Sequence, residues 1–214
     1  MRTGIVLAGG RSARFGSDKL AADFGGRTLL AATIEAVAPV VDRVVVAGPA
    51  LPAGLTTGAV SVSLVRDRDL LAGPLAALAN AFGSVVDPDP VADLAIVVGG
   101  DMPRLVPEVL RSMLDQLQDD AAIDAVLLGR PRSGNEEDRP QPSRRAVLPL
   151  ALRLEAARRA SAAAMDTGER SLQTFVERLA FLELPTSKWL LLDPGANTLL
   201  DVDTEADLEQ ITDR

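Results

Sequence analysis

The sequence predicts an α/β sandwich built on a mostly parallel sheet, and two patterns predict it. Short apolar, β-branched runs recur: "GIVLA" (4–8), "RVVVA" (43–47), "VSLV" (62–65), "LAIVV" (94–98) and "AVLL" (125–128). Runs this short, read as lacking polar alternation, suit strands covered on both faces, which is how strands of a parallel sheet are buried. Between them lie stretches with apolar residues at helical spacing, and strands alternating with helices define the α/β class.

Taken in order, the first run empties at once into "LAGGRSARFGSDK" (7–19). "TLLAATIEAVA" (28–38) reads as a helix, and the strands at 43–47 and 62–65 follow. "GPLAAL" (73–78) sets a Gly-Pro turn before the helix "PLAALANAF" (74–82), with Pro74 in the first helical turn, where its missing N–H has no partner to lose. After the strand at 94–98, "GGDMP" (99–103) leads to a helix over 106–117. There Val106, Val109, Leu110, Met113, Leu114 and Leu117 make one apolar stripe. "GRPRSGNEEDRPQPSRR" (129–145), rich in Pro, Gly and both signs of charge, predicts a mobile loop and a subdomain boundary. An Ala-rich helix is expected over 148–165, and another over 171–179, where Leu172, Phe175, Val176 and Leu179 share a face. A last helix is opened by Thr204 with Asp207 three residues on, a capping-box pattern.

Composition narrows the chemistry. With 214 residues, 47% of them apolar, the chain can bury a substantial core and suits one sizeable domain, expected over 1–214, or two small ones. Cys is absent, which excludes a disulfide framework, a thiolate zinc site and a thiol nucleophile. His is absent too, so the commonest general base and the Ser-His-Asp arrangement are excluded. Chemistry must run on carboxylates, Lys, Arg and a borrowed metal. A formal charge of −8 argues against a nucleic-acid partner. No run reaches membrane-spanning length, and the apolar part of "MRTGIVLAGG" is too short for a signal peptide, so a cytoplasmic protein with no membrane partner is expected.

The glycine loop is the sharpest local signal. A strand that ends in Gly9 and Gly10 can present several backbone N–H groups to one anion, because glycine permits close approach. Arg14 can grip phosphate oxygens in a fork, and Lys19 adds a point charge. The loop is neither a Walker A sequence, since Gly16 is followed by Ser17, Asp18 and Lys19, nor a G-x-G-x-x-G dinucleotide pattern. Asp101 follows a buried strand at its carboxyl end, where α/β folds bind ligands; a carboxylate there suits Mg²⁺, and an Asp in that place also reads as a plain helix cap.

"LAGGRSARFGSDK" resembles the L-A-G-G-x-S-x-R-[MF]-G-x-D-K signature of the MobA-like nucleotidyltransferases. That resemblance implies a Rossmann-like three-layer α/β/α sandwich of the nucleotide-diphospho-sugar transferase type. It implies a nucleotide-binding part at about 1–104 and an acceptor-binding part at about 105–214. Leu7, Ala8, Gly9 and Gly10 would touch base and ribose through backbone, while Arg14 and Lys19 would hold the triphosphate. "VRDRDLLAGPLAAL" (65–78) resembles the family stretch whose acid contacts the nucleotide, here Asp67. In "GGDMP" the family's metal-binding acid is matched by Asp101, with Gly100 as a departure before it. "LLDVDTEADL" (199–208) matches the closing segment, whose first polar residue, here Asp201, can approach the metal; Asp201 and Asp203 also read as acids that simply precede and polarise the last helix.

"GERSLQTFVERL" (168–179) resembles the G-E-R segment of the molybdenum-cofactor guanylyltransferases. The function this implies is transfer of GMP from GTP to the phosphate of molybdopterin with loss of pyrophosphate, assisted by Mg²⁺, in contact with molybdoenzyme maturation proteins. Catalytic roles would fall to Arg14, Lys19 and Asp101, with Asp101 and Asp201 on the metal. Two departures keep alternatives open. The family's His is missing from 139–152, and Ala47 stands where some relatives carry a guanine-reading Asn. CTP as donor, another sugar or alcohol phosphate as acceptor, and a non-catalytic nucleotide-binding module therefore stand beside the leading reading.

Overall fold

Short stiff strands give the molecule its frame. The computed structural model describes residues 1–9, 18–66, 73–85, 93–131 and 146–212. Its strands are β1 (Arg2–Leu7), β2 (Arg43–Ala47), β3 (Ser61–Val65), β4 (Leu94–Gly99), β5 (Ala125–Leu128), β6 (Leu150–Arg153) and β7 (Phe181–Leu184). They form one sheet in the order β3-β2-β1-β4-β6-β5-β7. β1 to β4 run parallel, β6 is antiparallel to both β4 and β5, and β7 is parallel to β5. The α/β class and the mostly parallel sheet expected from the sequence are what the chain adopts.

The strands at the centre are apolar throughout because helices cover both faces. The helices are α1 (Leu29–Val37), α2 (Pro74–Ser84), α3 (Pro107–Asp119), α4 (Leu154–Asp166), α5 (Leu172–Val176), α6 (Thr186–Trp189) and α7 (Glu205–Thr212). Side chains alternate across the sheet. Val6, Val44, Val46, Ile96 and Val98 pack on one side with Ile34 of α1 and Leu110, Met113 and Leu114 of α3. Ile5, Val45 and Val97 pack on the other with Leu75, Leu78 and Phe82 of α2, Ala157 of α4 and Phe175 of α5. These layers make the α/β/α sandwich.

Several sequence expectations need correction. The segment 148–165 is not one helix: Leu150–Arg153 is a strand inserted between β4 and β5, and the helix starts at Leu154. β7 has no counterpart among the expected strands. β3 is a sheet edge whose Ser61 and Ser63 are exposed, so it alternates instead of being buried on both faces. The helix expected over 171–179 spans only Leu172–Val176, although Leu179 is buried beside it. Most of the loop expected over 129–145 lies outside the described residues, as do Gly10, Arg14 and Asp67.

Candidate active site

In an open parallel sheet, ligands bind beyond the carboxyl ends of the strands where the chain reverses its direction of winding. Here the chain moves outward from β1 through β2 to β3, then returns to place β4 on the other side of β1. The crevice between the ends of β1 and β4 is therefore the switch point. Leu7 of β1 lies level with Gly99 of β4, and Gly100 N–H donates to the Leu7 carbonyl at 2.9 Å. Leu7, Ala8 and Gly9 leave β1 at this edge, and Asp101 leaves β4.

Ala8 is nearly sealed, with its N–H donating to the Ala47 carbonyl at 2.7 Å. Gly48 packs beneath it so tightly that a Cβ there would lie 2.8 Å from the Ala8 Cβ and 2.9 Å from its carbonyl oxygen. Ala47 is buried, so it presents no polar side chain at the end of β2. Asp18 caps a single 3-10 turn, Lys19–Ala21, by accepting from Leu20 N–H at 3.2 Å. That cap turns the next residue, Lys19, toward β4.

Lys19 Nζ stands 2.8 Å from Asp101 Oδ2 and 3.3 Å from Asp203 Oδ1. The lysine side chain is 14% exposed and that of Asp101 25%. Burial works against the Lys19 ammonium, but the hydrogen bonds and charges of Asp101 and then Asp203 outweigh it and hold its pKa above the usual lysine value. The other Asp101 oxygen folds back over its own strand end, where a Cβ at Gly99 would lie 2.4 Å from Oδ1. Gly100 has its own reason to be small: a Cβ there would meet Leu30 at 3.1 Å and Leu20 at 3.3 Å, so these side chains fill the space that a larger residue would need.

The C-terminal segment completes the corner. Val202 is fully buried among Phe24, Leu29, Ala32 and Ile211, and Asp201 and Asp203 flank it on the exposed side. Desolvation raises the Asp201 carboxyl above its usual value, repulsion from Asp203 and Asp101 adds to it, and Lys19 opposes. Sequence reasoning misses Asp203 as a partner of Lys19; its signal is the alternation Asp-Val-Asp, in which one buried Val makes both acids face outward together. The expected capping box is present: Asp207 Oδ2 accepts from Thr204 N–H at 2.8 Å, and Asp207 N–H donates to Thr204 Oγ1 at 3.2 Å.

Carboxylates gather at this corner, where Asp101 and Asp203 both meet Lys19. Among the described residues no group of three or more His, Cys, Asp or Glu side chains could hold a metal. A site resting on one or two carboxylates, completed by water and phosphate, is nonetheless what Mg²⁺ prefers. Asp101, Asp201 and Asp203 concentrate negative charge here, and Asp201 feels the repulsion of the other two.

The second half of the chain approaches the same edge. Gly73, at φ +88°, precedes Pro74 at the start of α2, and a Cβ on it would lie 3.3 Å from the Arg170 Cβ. The G-P-L-A and G-E-R stretches are thus neighbours. Glu169 Oε1 accepts from the N–H groups of Arg170 and Ser171, both at 2.8 Å, and Ser171 caps α5. These bonds hold the Glu169 carboxyl below its ordinary range.

A Lys–Asp pair at the switch point of a mostly parallel sheet marks an α/β protein of the kind that binds ligands at its strand ends. Residues 4–181 match the model of the MobA-like NTP transferase domain, and the chain belongs to that family of nucleotidyltransferases. It is 30% identical over 221 residues to a Chloroflexus aggregans protein named as a probable molybdenum cofactor guanylyltransferase, covering 99% of this chain and 93% of the relative. A Pyrococcus furiosus protein of the same name is 37% identical over 129 residues, covering 59% of this chain and 60% of the relative. The fold resembles that of molybdopterin-guanine dinucleotide biosynthesis protein A from Archaeoglobus fulgidus, with a TM-score of 0.70 at 20% identity, covering 100% of this chain and 97% of that one.

Proposed function

We propose that this protein transfers GMP from GTP to the phosphate of molybdopterin, with Mg²⁺ bound, and releases pyrophosphate. The observation that carries the reading is the Lys19–Asp101 pair at the β1/β4 crevice, joined to a family whose full-length relative bears the guanylyltransferase name. An oxygen of the acceptor phosphate attacks the α-phosphorus of GTP, the bond from that phosphorus to the bridging oxygen breaks, and pyrophosphate leaves with the electron pair. The acceptor phosphate is already ionised at neutral pH, so no side-chain base is required, which suits a chain without His or Cys. Catalysis is then positioning and charge neutralisation.

In this reading Leu7, Ala8, Gly9 and Gly10 seat the nucleoside through backbone, with Asp67 helping. Lys19 and Arg14 neutralise the triphosphate and the departing pyrophosphate. Asp101 and Asp201 would hold Mg²⁺, which withdraws charge from the phosphoryl oxygens when bound. The acceptor binds in the half at about 105–214. A cytoplasmic location and contact with molybdoenzyme maturation proteins belong to the same reading. Among the described residues no helix is long and apolar enough to cross a membrane.

Buried Ala47 favours a second reading, in which CTP is the donor, because that strand end offers guanine no side-chain partner. Pyrophosphate release from each of the four NTPs, with Mg²⁺ and molybdopterin, decides. GTP is expected to be turned over fastest, and Asp101→Asn is expected to lower that rate by about a hundredfold or more while melting with the wild type. Equal release from every NTP, or an undiminished rate in Asp101→Asn, would refute the assignment.

A further inference from the structure

We infer that Lys19 also acts as a built-in stand-in for the metal. In the nucleotide-free protein its ammonium occupies the cation position at Asp101, so that a divalent metal binds firmly only when Lys19 has moved onto a triphosphate. The inference rests on the metal role that the proposed function gives Asp101.

The two carboxylate oxygens of Asp101 are not equivalent. Oδ1 is turned back over Gly99, at the spot where a Cβ on that residue would sit. Oδ2 faces outward, and Lys19 Nζ is on it at 2.8 Å. A metal approaching from the crevice needs the outward oxygen at about 2.1 Å, and a second cation in contact with the same oxygen is repelled at short range. One of the two must yield.

The lysine is the one able to move. The Asp101 main chain is tied to the last segment, since Val202 N–H donates to its carbonyl at 3.0 Å, and its short side chain has little reach. Lys19 hangs on a flexible four-carbon stem, and Asp203, 58% exposed at 3.3 Å, gives it a second, outward anchor. Phosphate oxygens in the crevice would accept the same ammonium. Metal and triphosphate therefore help one another bind: each removes Lys19 from the place, or adds the charge, that opposes the other.

Mn²⁺ alone, titrated by electron paramagnetic resonance without nucleotide, tests this. If Lys19 covers Asp101 nine-tenths of the time, it weakens metal binding about tenfold, and Lys19→Ala is expected to regain that factor. Lys19→Arg should bind Mn²⁺ like the wild type, and Lys19→Met, which keeps the buried stem, should gain like the alanine variant. Adding Asp101→Asn to Lys19→Ala should cancel the gain. The inference is overturned if neutral residues at position 19 bind Mn²⁺ no more tightly than lysine does, or if the gain survives loss of the Asp101 charge. Pyrophosphate release by the wild type tests the functional reading separately, because metal competition at Asp101 would persist with a different nucleotide or acceptor.

Discussion

The backbone N–H of Val202 donates to the Asp101 carbonyl at 3.0 Å, joining the end of β4 to the segment that leads into α7. Val202 is fully buried, and Ile211 of α7 packs in the same cluster. Arg104 adds a second link, donating to the Ile211 carbonyl while its guanidinium lies 5.8 Å from the centre of the Phe24 ring. The last helix is thus a brace for Asp201 and Asp203. Val202→Ala should open a cavity beneath them and lower stability by about 1–3 kcal/mol, read from urea unfolding. Nucleotide affinity should fall with it, and unchanged affinity in the folded variant would show that the brace does not position the acids.

Lys19 is expected to discriminate by phosphate number. Charge-assisted hydrogen bonds are worth roughly 1.5–3 kcal/mol, so Lys19→Ala should weaken GTP about ten- to a hundredfold while guanosine binding changes little. Calorimetric titration with both ligands reads the difference. Equal weakening of the two would mean that the lysine shapes the pocket and does not grip the phosphates.

Gly48 carries a steric prediction. Because a Cβ at this position would lie 2.8 Å from the Ala8 Cβ, and against backbone as well, Gly48→Ala must push Ala8 outward. Overpacking of this kind costs about 1–3 kcal/mol. Nucleotide affinity should drop together with the unfolding midpoint if, as the proposed function has it, the backbone at Ala8 seats the nucleoside.

Much of the fold is legible in the sequence because the central strands need no partner information: "RVVVA" and "AVLL" coincide with β2 and β5 to the residue. β6 is hidden. "LALR" has helical propensity and runs into Leu154 with no breaker between, so only its antiparallel pairing with β4 and β5 makes it a strand. β7 pairs with β5 across a long stretch of chain, which no local pattern records. At the site, Lys19 and Asp101 can be read from short motifs. That Asp203 shares Lys19 depends on α7 docking against Phe24 and Leu29, a packing event distant in sequence.

Acid stability should depend on Asp193, which is 2% exposed and lies far from the chemistry in role. Its Oδ2 accepts from Thr198 N–H at 2.7 Å and its Oδ1 from Asn197 Nδ2 at 2.9 Å. Desolvation alone would raise this carboxyl, but the bonds from Thr198 and Asn197 outweigh it and leave the pKa below the usual aspartate value. A group whose folded pKa is depressed stabilises the fold fully above its unfolded pKa of about 3.9, and that share is lost as pH falls through the folded value. Thr198 in turn accepts from Val106 N–H at 3.2 Å, just before α3, so the loop held by Asp193 also steadies the start of that helix. Asp193→Ala should therefore cost about 1–3 kcal/mol at pH 7 and flatten the fall in stability below about pH 4. Urea unfolding of both proteins between pH 3 and about 7 measures the two slopes. Parallel curves would mean that the carboxyl's ionisation contributes nothing to the fold.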